Sequence, residues 1–125
     1  MDVKKYFGIC VTGRHLILDL YNGSRLNDIE YMKKVFLECI KECGATLLGM
    51  DFHHFEENSG LSGVAVLSES HISVHTWPEY NYGAFDIFMC GKADPLKAIP
   101  ILKKAFNTEK IIIQEIMRGQ GVDVF

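Results

Sequence analysis

Apolar residues recur at three- and four-residue intervals through residues 27–43, which is the period of a helix with one buried face. Either Asn27 or Asp28 is suited to cap the start of this helix, because a short polar side chain accepts hydrogen bonds from the first free amides. Gly44 is suited to end it in the left-handed conformation. The pattern therefore predicts a first helix with its ends at these residues.

A second helix is predicted from Asp94 to about Phe106, since a capping aspartate there precedes a proline at the first helical position. Pro100 lies inside it and is expected to kink or fray it, because proline supplies no amide donor. Strands are predicted at residues 15–21, 46–55, 63–67, 71–77, 83–90 and 110–117, with turns at residues 56–60 and 78–82. The order of elements predicts an α+β domain, because one strand and a helix are followed by hairpin-linked strands, a second helix and a last strand. We expect an antiparallel sheet with two helices packed on one face.

The strand at residues 71–77 alternates strictly between apolar and chemically active side chains. Ile72, Val74 and Thr76 point to one face of it. The opposite face carries His71, Ser73, His75 and Trp77. An ordinary core strand has no need of these side chains, so this face is where a functional site is expected.

The following strand is predicted to pair with this one as an antiparallel hairpin. Centring the hairpin near Tyr80 and Asn81 places His75 opposite Asp86 and His71 opposite Cys90. Ser70, at the start of the first strand, and Cys90, at the end of the second, are then near neighbours. The predicted register thus brings a hydroxyl and a thiol together.

Length and composition exclude several classes of protein. A chain of 125 residues is expected to form one domain, and 48% hydrophobic with 23% charged residues is ordinary globular composition. The net charge is −3 and no basic stripe is present, which argues against nucleic acid or an anionic membrane as partner. The N-terminus lacks a signal-peptide pattern and no run of about 20 apolar residues occurs, so a cytoplasmic location is expected.

The four cysteines are expected to be free thiols, because a reducing compartment disfavours disulfides. Cys39 and Cys43 lie four residues apart on the apolar face of the first helix and are interpreted as core residues. His53 and His54 point to opposite faces of a strand and no other ligands accompany them. The sequence therefore predicts no metal site.

The most informative stretch is residues 61–91, which read LSGVAVLSESHISVHTWPEYNYGAFDIFMCG. This stretch, with Gly13-Arg14-His15-Leu16 near the start and Arg118-Gly119 near the end, closely resembles the pyruvoyl-dependent S-adenosylmethionine decarboxylases in their short prokaryotic form. The resemblance runs from Gly13 to about Gly121. It implies the fold of that family and an enzyme that is made as a proenzyme.

The resemblance implies self-cleavage between Glu69 and Ser70, giving a β chain of residues 1–69 and an α chain of residues 70–125. Such cleavage requires the serine hydroxyl to attack the preceding carbonyl, donors to stabilise the oxyanion, and a base to remove the serine α-proton. By the same motif match, Ser62 and His75 resemble the processing donor and base. The cofactor would be a pyruvoyl group generated from Ser70.

The resemblance also assigns the catalytic and substrate-binding residues. Cys90 resembles the proton donor that follows decarboxylation. Phe55 and Trp77 resemble the pair that sandwiches the adenine, and Glu79 resembles the carboxylate that accepts from the ribose hydroxyls. The expected product is the aminopropyl donor for spermidine synthesis.

Three alternatives remain open from the residues. The same fold hosts pyruvoyl-dependent decarboxylases of ornithine or arginine, which keep the chemistry and change the pocket. A thiol hydrolase built on Cys90 and His75 would leave Glu69 and Ser70 without a role. A binding module or regulatory partner would have no need to keep the reactive residues.

A homodimer with composite sites is also expected. A sheet with helices on one face leaves its other face in need of cover, and the family that the chain resembles pairs two protomers. In this hypothesis Phe55 and Trp77 hold one adenine from different protomers.

Overall fold

Six strands of the chain form one antiparallel sheet, in the order β4-β5-β6-β7-β3-β8. The computed structural model describes residues 3–56 and 59–125. The strands of this sheet are β3 (Gly13–Leu20), β4 (Leu47–His54), β5 (Leu61–Leu67), β6 (Ser70–Trp77), β7 (Tyr82–Met89) and β8 (Ile111–Arg118). Two α-helices accompany them: α1 (Ile29–Cys43) follows β3, and α2 (Ala98–Ala105) precedes β8.

Both helices pack on one face of this sheet, as the sequence predicts. Their apolar side chains and alternate residues of β3, β5, β6 and β7 form a single buried cluster. On β6 the predicted alternation is confirmed, because Ile72, Val74 and Thr76 are buried in this direction. We call the opposite side of the sheet the open face. It carries half-buried and exposed side chains of both polar and apolar type.

The predicted boundaries of α1 are confirmed by the contacts at its ends. Asp28 is the N-cap, and its Oδ1 accepts from the backbone amide of Tyr31 at 3.0 Å. Gly44 ends the helix at φ +80°, in the left-handed region that glycine adopts without strain. Cys39 and Cys43 lie in the core, and burial raises the pKa of the Cys43 thiol to about 11.

The predicted second helix is divided into two shorter elements. Asp94 caps a 3₁₀ turn at Pro95–Lys97, and the α-helix begins only at Ala98. Pro100 is therefore in the first turn of α2 and not in a helix interior. A first turn tolerates proline because its amides have no partner within the helix.

The predicted register of the β6–β7 hairpin is wrong by two residues. Trp77 pairs with Tyr82, so Ser73 lies opposite Asp86 and His71 opposite Phe88. The connection begins with a 3₁₀ turn at Pro78–Tyr80, which moves the centre of the hairpin by one residue. A shift of two preserves which side chains share a face, so the open face keeps its predicted composition.

A second, two-stranded sheet at the N-terminus was not predicted. Strands β1 (Lys4–Tyr6) and β2 (Ile9–Val11) pair through a turn in which Phe7 and Gly8 both have positive φ. Elsewhere the strand boundaries agree with the prediction within about two residues, although residues 57 and 58 of the predicted 56–60 turn lie outside the described part of the chain. Among the described helices, none is long and apolar enough to cross a membrane.

Candidate active site

The tight turn between β5 and β6 holds the predicted cleavage point. Leu67 pairs with Ser70, so Ser68 and Glu69 alone connect the two strands. Glu69 has φ +65°, a left-handed conformation that is uncommon for a residue with a side chain. Such a backbone costs on the order of 1–3 kcal/mol. The strain is located at the residue whose carbonyl would be attacked.

Cys90 is hydrogen-bonded to both residues of the predicted scissile bond. Its Sγ donates to the carbonyl oxygen of Glu69 at 2.9 Å, and its backbone amide donates to Ser70 Oγ at 3.3 Å. This confirms the predicted proximity of Ser70 and Cys90. Burial, reinforced by the nearby Glu69 carboxylate, raises the pKa of the Cys90 thiol above its ordinary value. The thiol therefore stays protonated at neutral pH and can act as a donor.

Ser62 and His75 form a second pair of reactive side chains. They are directly opposite each other on β5 and β6, and Ser62 Oγ lies 2.9 Å from His75 Nδ1. The hydroxyl and the imidazole are thus joined by a hydrogen bond. This contact is expected of a donor and a base that act together in processing. Their strands continue into the segments that carry the predicted substrate-binding residues.

The predicted substrate-binding residues line one cavity of about 340 Å³ beside His75. Phe55, Trp77 and Glu79 are all in its wall. Phe55 is 75% and Trp77 42% exposed, so both rings have free surface for a planar ligand. The expectation that these two rings come from different protomers is not what the structure shows. Phe55 follows the end of β4 and Trp77 ends β6, and the pairings through β5 bring these two strand ends together.

The predicted site residues therefore fall into two groups within one chain. We call Glu69, Ser70 and Cys90 the cleavage half-site. The histidine half-site consists of Ser62, His75, Phe55, Trp77 and Glu79. They lie at opposite ends of β6, and the five residue-to-residue steps from Ser70 to His75 span about 17 Å of extended strand. His75 thus does not reach Ser70 of its own chain.

A cluster on the open face was not predicted. Asp86, on β7, accepts from His15 Nε2 at 2.7 Å and His71 Nε2 at 2.9 Å, and it also accepts from the Ser73 hydroxyl. Burial opposes the charged form of Asp86, but these hydrogen bonds outweigh it and lower the pKa of the carboxyl. The signal was available in the sequence, because strand parity places all four residues on the open face.

Among the described residues, His15, His71 and Asp86 are the group with the spacing of metal ligands, since their ligand atoms lie within 4.8 Å of one another. Arg118 lies 3.0 Å from His15 Nδ1 and can only donate to it. His15 must then carry its hydrogen on Nε2, which faces Asp86. In this arrangement the lone pair of the His15 ring faces Arg118, and Nε2 donates to Asp86.

Both the sequence and the fold are similar to those of known proteins. The sequence model described as S-adenosylmethionine decarboxylase matches residues 14–119. The S-adenosylmethionine decarboxylase proenzyme of Methanococcus maripaludis is 44% identical over 110 residues, covering 86% of this chain and 89% of the relative. That of Thermotoga maritima is 41% identical over 111 residues, covering 86% and 85%. The crystal structure of the adenosylmethionine decarboxylase from Aquifex aeolicus superimposes with a TM-score of 0.76 at 27% identity, covering 86% and 91%.

Proposed function

The chain belongs to the S-adenosylmethionine decarboxylase family, and from that premise we propose that it cleaves itself between Glu69 and Ser70 and works as a dimer. Its activity is the decarboxylation of S-adenosylmethionine, a step that supports polyamine synthesis. The observation that carries the proposal is the contact of the Cys90 thiol with the Glu69 carbonyl, next to the Ser70 hydroxyl. One domain of 125 residues would give chains of residues 1–69 and 70–125.

The cleavage half-site has the contacts that the first step of processing needs. The Cys90 amide donates to Ser70 Oγ and so holds the hydroxyl beside the peptide bond that it would attack. When Ser70 Oγ adds to the Glu69 carbonyl carbon, negative charge develops on the carbonyl oxygen, which already accepts from Cys90 Sγ. Collapse of this adduct breaks the C–N bond, the hydroxyl proton passes to the departing Ser70 nitrogen, and an ester with a free α-amine is left. The same step relieves the backbone strain at Glu69, because the peptide bond that follows this residue is broken.

The second step needs a base, and the candidate base His75 lies too far along β6 from Ser70 of its own chain. Removal of the Ser70 α-proton expels the ester carboxylate by β-elimination, and the dehydroalanine that remains hydrolyses with loss of ammonia to a pyruvoyl group. The base proposed here is His75, held by Ser62, from a second protomer. A two-fold axis through the open face would set the cleavage half-site of each protomer against the histidine half-site of its partner.

The composition of the open face supports this dimer. Several apolar side chains remain 36–50% exposed there: Ile17, Val64, Val66, Ile112 and Ile116. They surround the half-buried Asp86 network. Covering a surface of this kind removes apolar area from water at roughly 25 cal/mol per Å². A second copy of the chain would cover this apolar surface. It would also bring a histidine half-site close to each cleavage half-site.

Residues of both half-sites would then act on one substrate molecule. Phe55 and Trp77 stack on the adenine, and Glu79 accepts from the ribose hydroxyls. A pyruvoyl group formed from Ser70 would be held at the start of β6 beside Cys90, and it would supply a ketone as the electron sink that decarboxylation requires. Cys90 then delivers its proton to the carbon from which carbon dioxide departed, and its raised pKa keeps that proton available.

S-adenosylmethionine is favoured over ornithine or arginine, because the relatives are named for it and the cavity presents two rings and a carboxylate. The product would serve as aminopropyl donor for spermidine. Its cytoplasmic location stays a prediction. Purified protein should release carbon dioxide from S-adenosylmethionine and not from ornithine or arginine, assayed side by side with Ser70→Ala as control. Equal release from an amino acid would refute the proposed specificity.

A further inference from the structure

Three aromatic rings lie side by side on the open face, across one end of the sheet. Trp77 ends β6, Tyr82 begins β7 and Tyr21 follows β3, so the rings come from three neighbouring strands. The Tyr82 ring is in the middle, with its centroid 5.4 Å from those of both Trp77 and Tyr21. We call these three residues the aromatic row. It ends at Trp77, which also lies in the wall of the cavity that contains Phe55 and Glu79.

Tyr82 is held in place by contacts with other parts of the sheet. Its hydroxyl donates to Asp19 Oδ1 on β3 at 2.5 Å. This hydrogen bond, with burial, raises the pKa of Tyr82 to about 12, so the hydroxyl keeps its proton and remains a donor. On its far side the Tyr82 ring meets Tyr21, and the centroid of the Tyr21 ring lies 5.0 Å from the Lys110 ammonium. The middle ring of the row is therefore anchored from two sides.

The orientation of Trp77 depends on this anchored ring. Trp77 is 42% exposed, and the chain leaves the sheet directly after it in the 3₁₀ turn Pro78–Tyr80. Within the described part of the chain, Tyr82 is the one residue whose aromatic ring contacts the indole, and it is also the partner of Trp77 in the strand register. An indole without this support would occupy several rotamers. Each rotamer that turns the ring away from the cavity lowers the fraction of protein that is ready to bind a ligand there.

We propose that Tyr82, tethered by Asp19, is a positioning residue that holds the Trp77 ring in the orientation that stacks on the adenine. This inference rests on the proposed function, because it takes the cavity of Phe55, Trp77 and Glu79 to be the nucleoside site. Among the described residues that line this cavity, neither Tyr82 nor Asp19 is found. Both act through Trp77, and loss of either contact should weaken nucleoside binding without changing the chemical step.

Binding of 5′-methylthioadenosine to the processed protein tests this role, measured by calorimetry. The probe carries the adenine and the ribose but no α-amine, so it cannot condense with a ketone. Tyr82→Leu should weaken its binding by about three- to tenfold, as expected for the loss of one aromatic pair. Asp19→Asn should remain close to wild type, because its amide oxygen can still accept from the Tyr82 hydroxyl. Tyr31→Phe is the matched control, since it removes a tyrosine hydroxyl that donates to Ala105 on the helix side of the sheet.

The kinetics of S-adenosylmethionine decarboxylation separate positioning from a general loss of structure. Tyr82→Leu should raise KM by about three- to tenfold, with kcat per cleaved chain unchanged, because only binding is affected. In a Trp77→Ala background the same replacement should add nothing, since the ring through which Tyr82 acts is already absent. If Tyr82→Leu does not yield folded protein, Tyr82→Phe takes its place in each comparison, because it keeps the ring and loses only the hydrogen bond to Asp19.

The possible failures of the two proposals are distinguishable. Absence of 5′-methylthioadenosine binding to wild type would refute the nucleoside cavity, and the positioning role with it. If wild type binds the probe, unchanged affinity in the Tyr82 variant would overturn the positioning role alone. A fall in kcat with KM unchanged would also overturn it, as would an equal further loss of affinity in the Trp77→Ala background.

Discussion

The Cys90 side chain is only 8% exposed, as a structural cysteine of the core would be, yet its Sγ donates to the carbonyl of Glu69. A lone cysteine on a strand is usually a packing residue, and its burial alone would support that interpretation. Its position at the end of β7, across from the β5–β6 turn, distinguishes it from Cys39 and Cys43. Those two thiols lie on α1 and are buried in the core.

Replacing Cys90 by alanine should impair two reactions. Self-cleavage should slow because the Glu69 carbonyl loses its thiol donor, and turnover should fall by about 10²-fold or more because the proton donor is lost. Protonation at the wrong carbon should also inactivate the enzyme during turnover. Intact mass followed over time and carbon dioxide release measure these effects, with Cys10→Ala as the matched cysteine control. Normal turnover and lifetime in Cys90→Ala would contradict the assigned role.

The pH profile offers an independent test of Cys90. Because the pKa of its thiol is raised, the protonated form persists through neutral pH and is lost as the pH rises through that raised value. Turnover by the processed enzyme should therefore decline on an alkaline limb that lies above the ordinary thiol pKa. Cys90→Ser should lack this limb, since an alcohol does not ionise in this range. An identical limb in both proteins would assign it to another group.

The secondary-structure elements were predictable where local physics decides them. The period of α1, its Asp28 cap and its Gly44 terminator are all encoded within one stretch of sequence. The register of the β6–β7 hairpin could not be predicted in this way, because the 3₁₀ turn at Pro78–Tyr80 is one of several connections compatible with the same residues. The N-terminal hairpin was missed for a similar reason. Its turn uses Phe7 at positive φ, where Asn or Asp is the usual signal.

The cap of α1 gives a stability prediction at this scale. Asp28→Ala should lower the free energy of unfolding by about 1 kcal/mol, because the Tyr31 amide loses its acceptor. The adjacent Asn27→Ala should have little effect, which makes it the matched control. Urea unfolding in the Ser70→Ala background keeps the chain uncut for both measurements. An equal loss in the two variants would show that the cap is not the cause.

The pH dependence of this cap has a definite sign. The Tyr31 amide, with Arg25, lowers the pKa of Asp28 in the folded protein. A lowered pKa contributes stability that is present above the unfolded value and is lost as the pH falls through the folded one. The difference between wild type and Asp28→Ala should therefore shrink under acid conditions.

At the scale of the whole molecule, the sequence predicted the candidate site residues but not their division into two groups. Ser70 and His75 are close in sequence, and only their position on one extended strand separates them by about 17 Å. That distance was calculable from the predicted strand. The position of Phe55 was not, because it depends on how β4 pairs with β5. Long-range strand pairing is a property of the sheet and leaves little local signal.

Composite sites predict complementation between two inactive variants. Ser70→Ala keeps its histidine half-site and His75→Ala keeps its cleavage half-site, so a heterodimer contains one intact composite site and one doubly altered site. Co-expressed with different tags, the pair should cleave the His75→Ala chain, while each variant alone stays uncut. The matched control pairs His75→Ala with the Ser70→Ala/His75→Ala double variant, which supplies no intact His75, so neither chain should be cut. An uncut chain in a verified heterodimer would contradict the proposed dimer.

The central claim is that the chain cuts itself at Ser70 and turns that serine into its cofactor. Intact-mass measurement of the purified protein tests it most directly. The account predicts two chains, residues 1–69 with an ordinary C-terminus and residues 70–125 lighter than the serine-initiated chain by the loss of ammonia on conversion to pyruvoyl. It also predicts that Ser70→Ala remains a single chain of 14.2 kDa, less one oxygen. A wild-type protein that stays uncut, or a Ser70→Ala protein that is cut at the same bond, would contradict it.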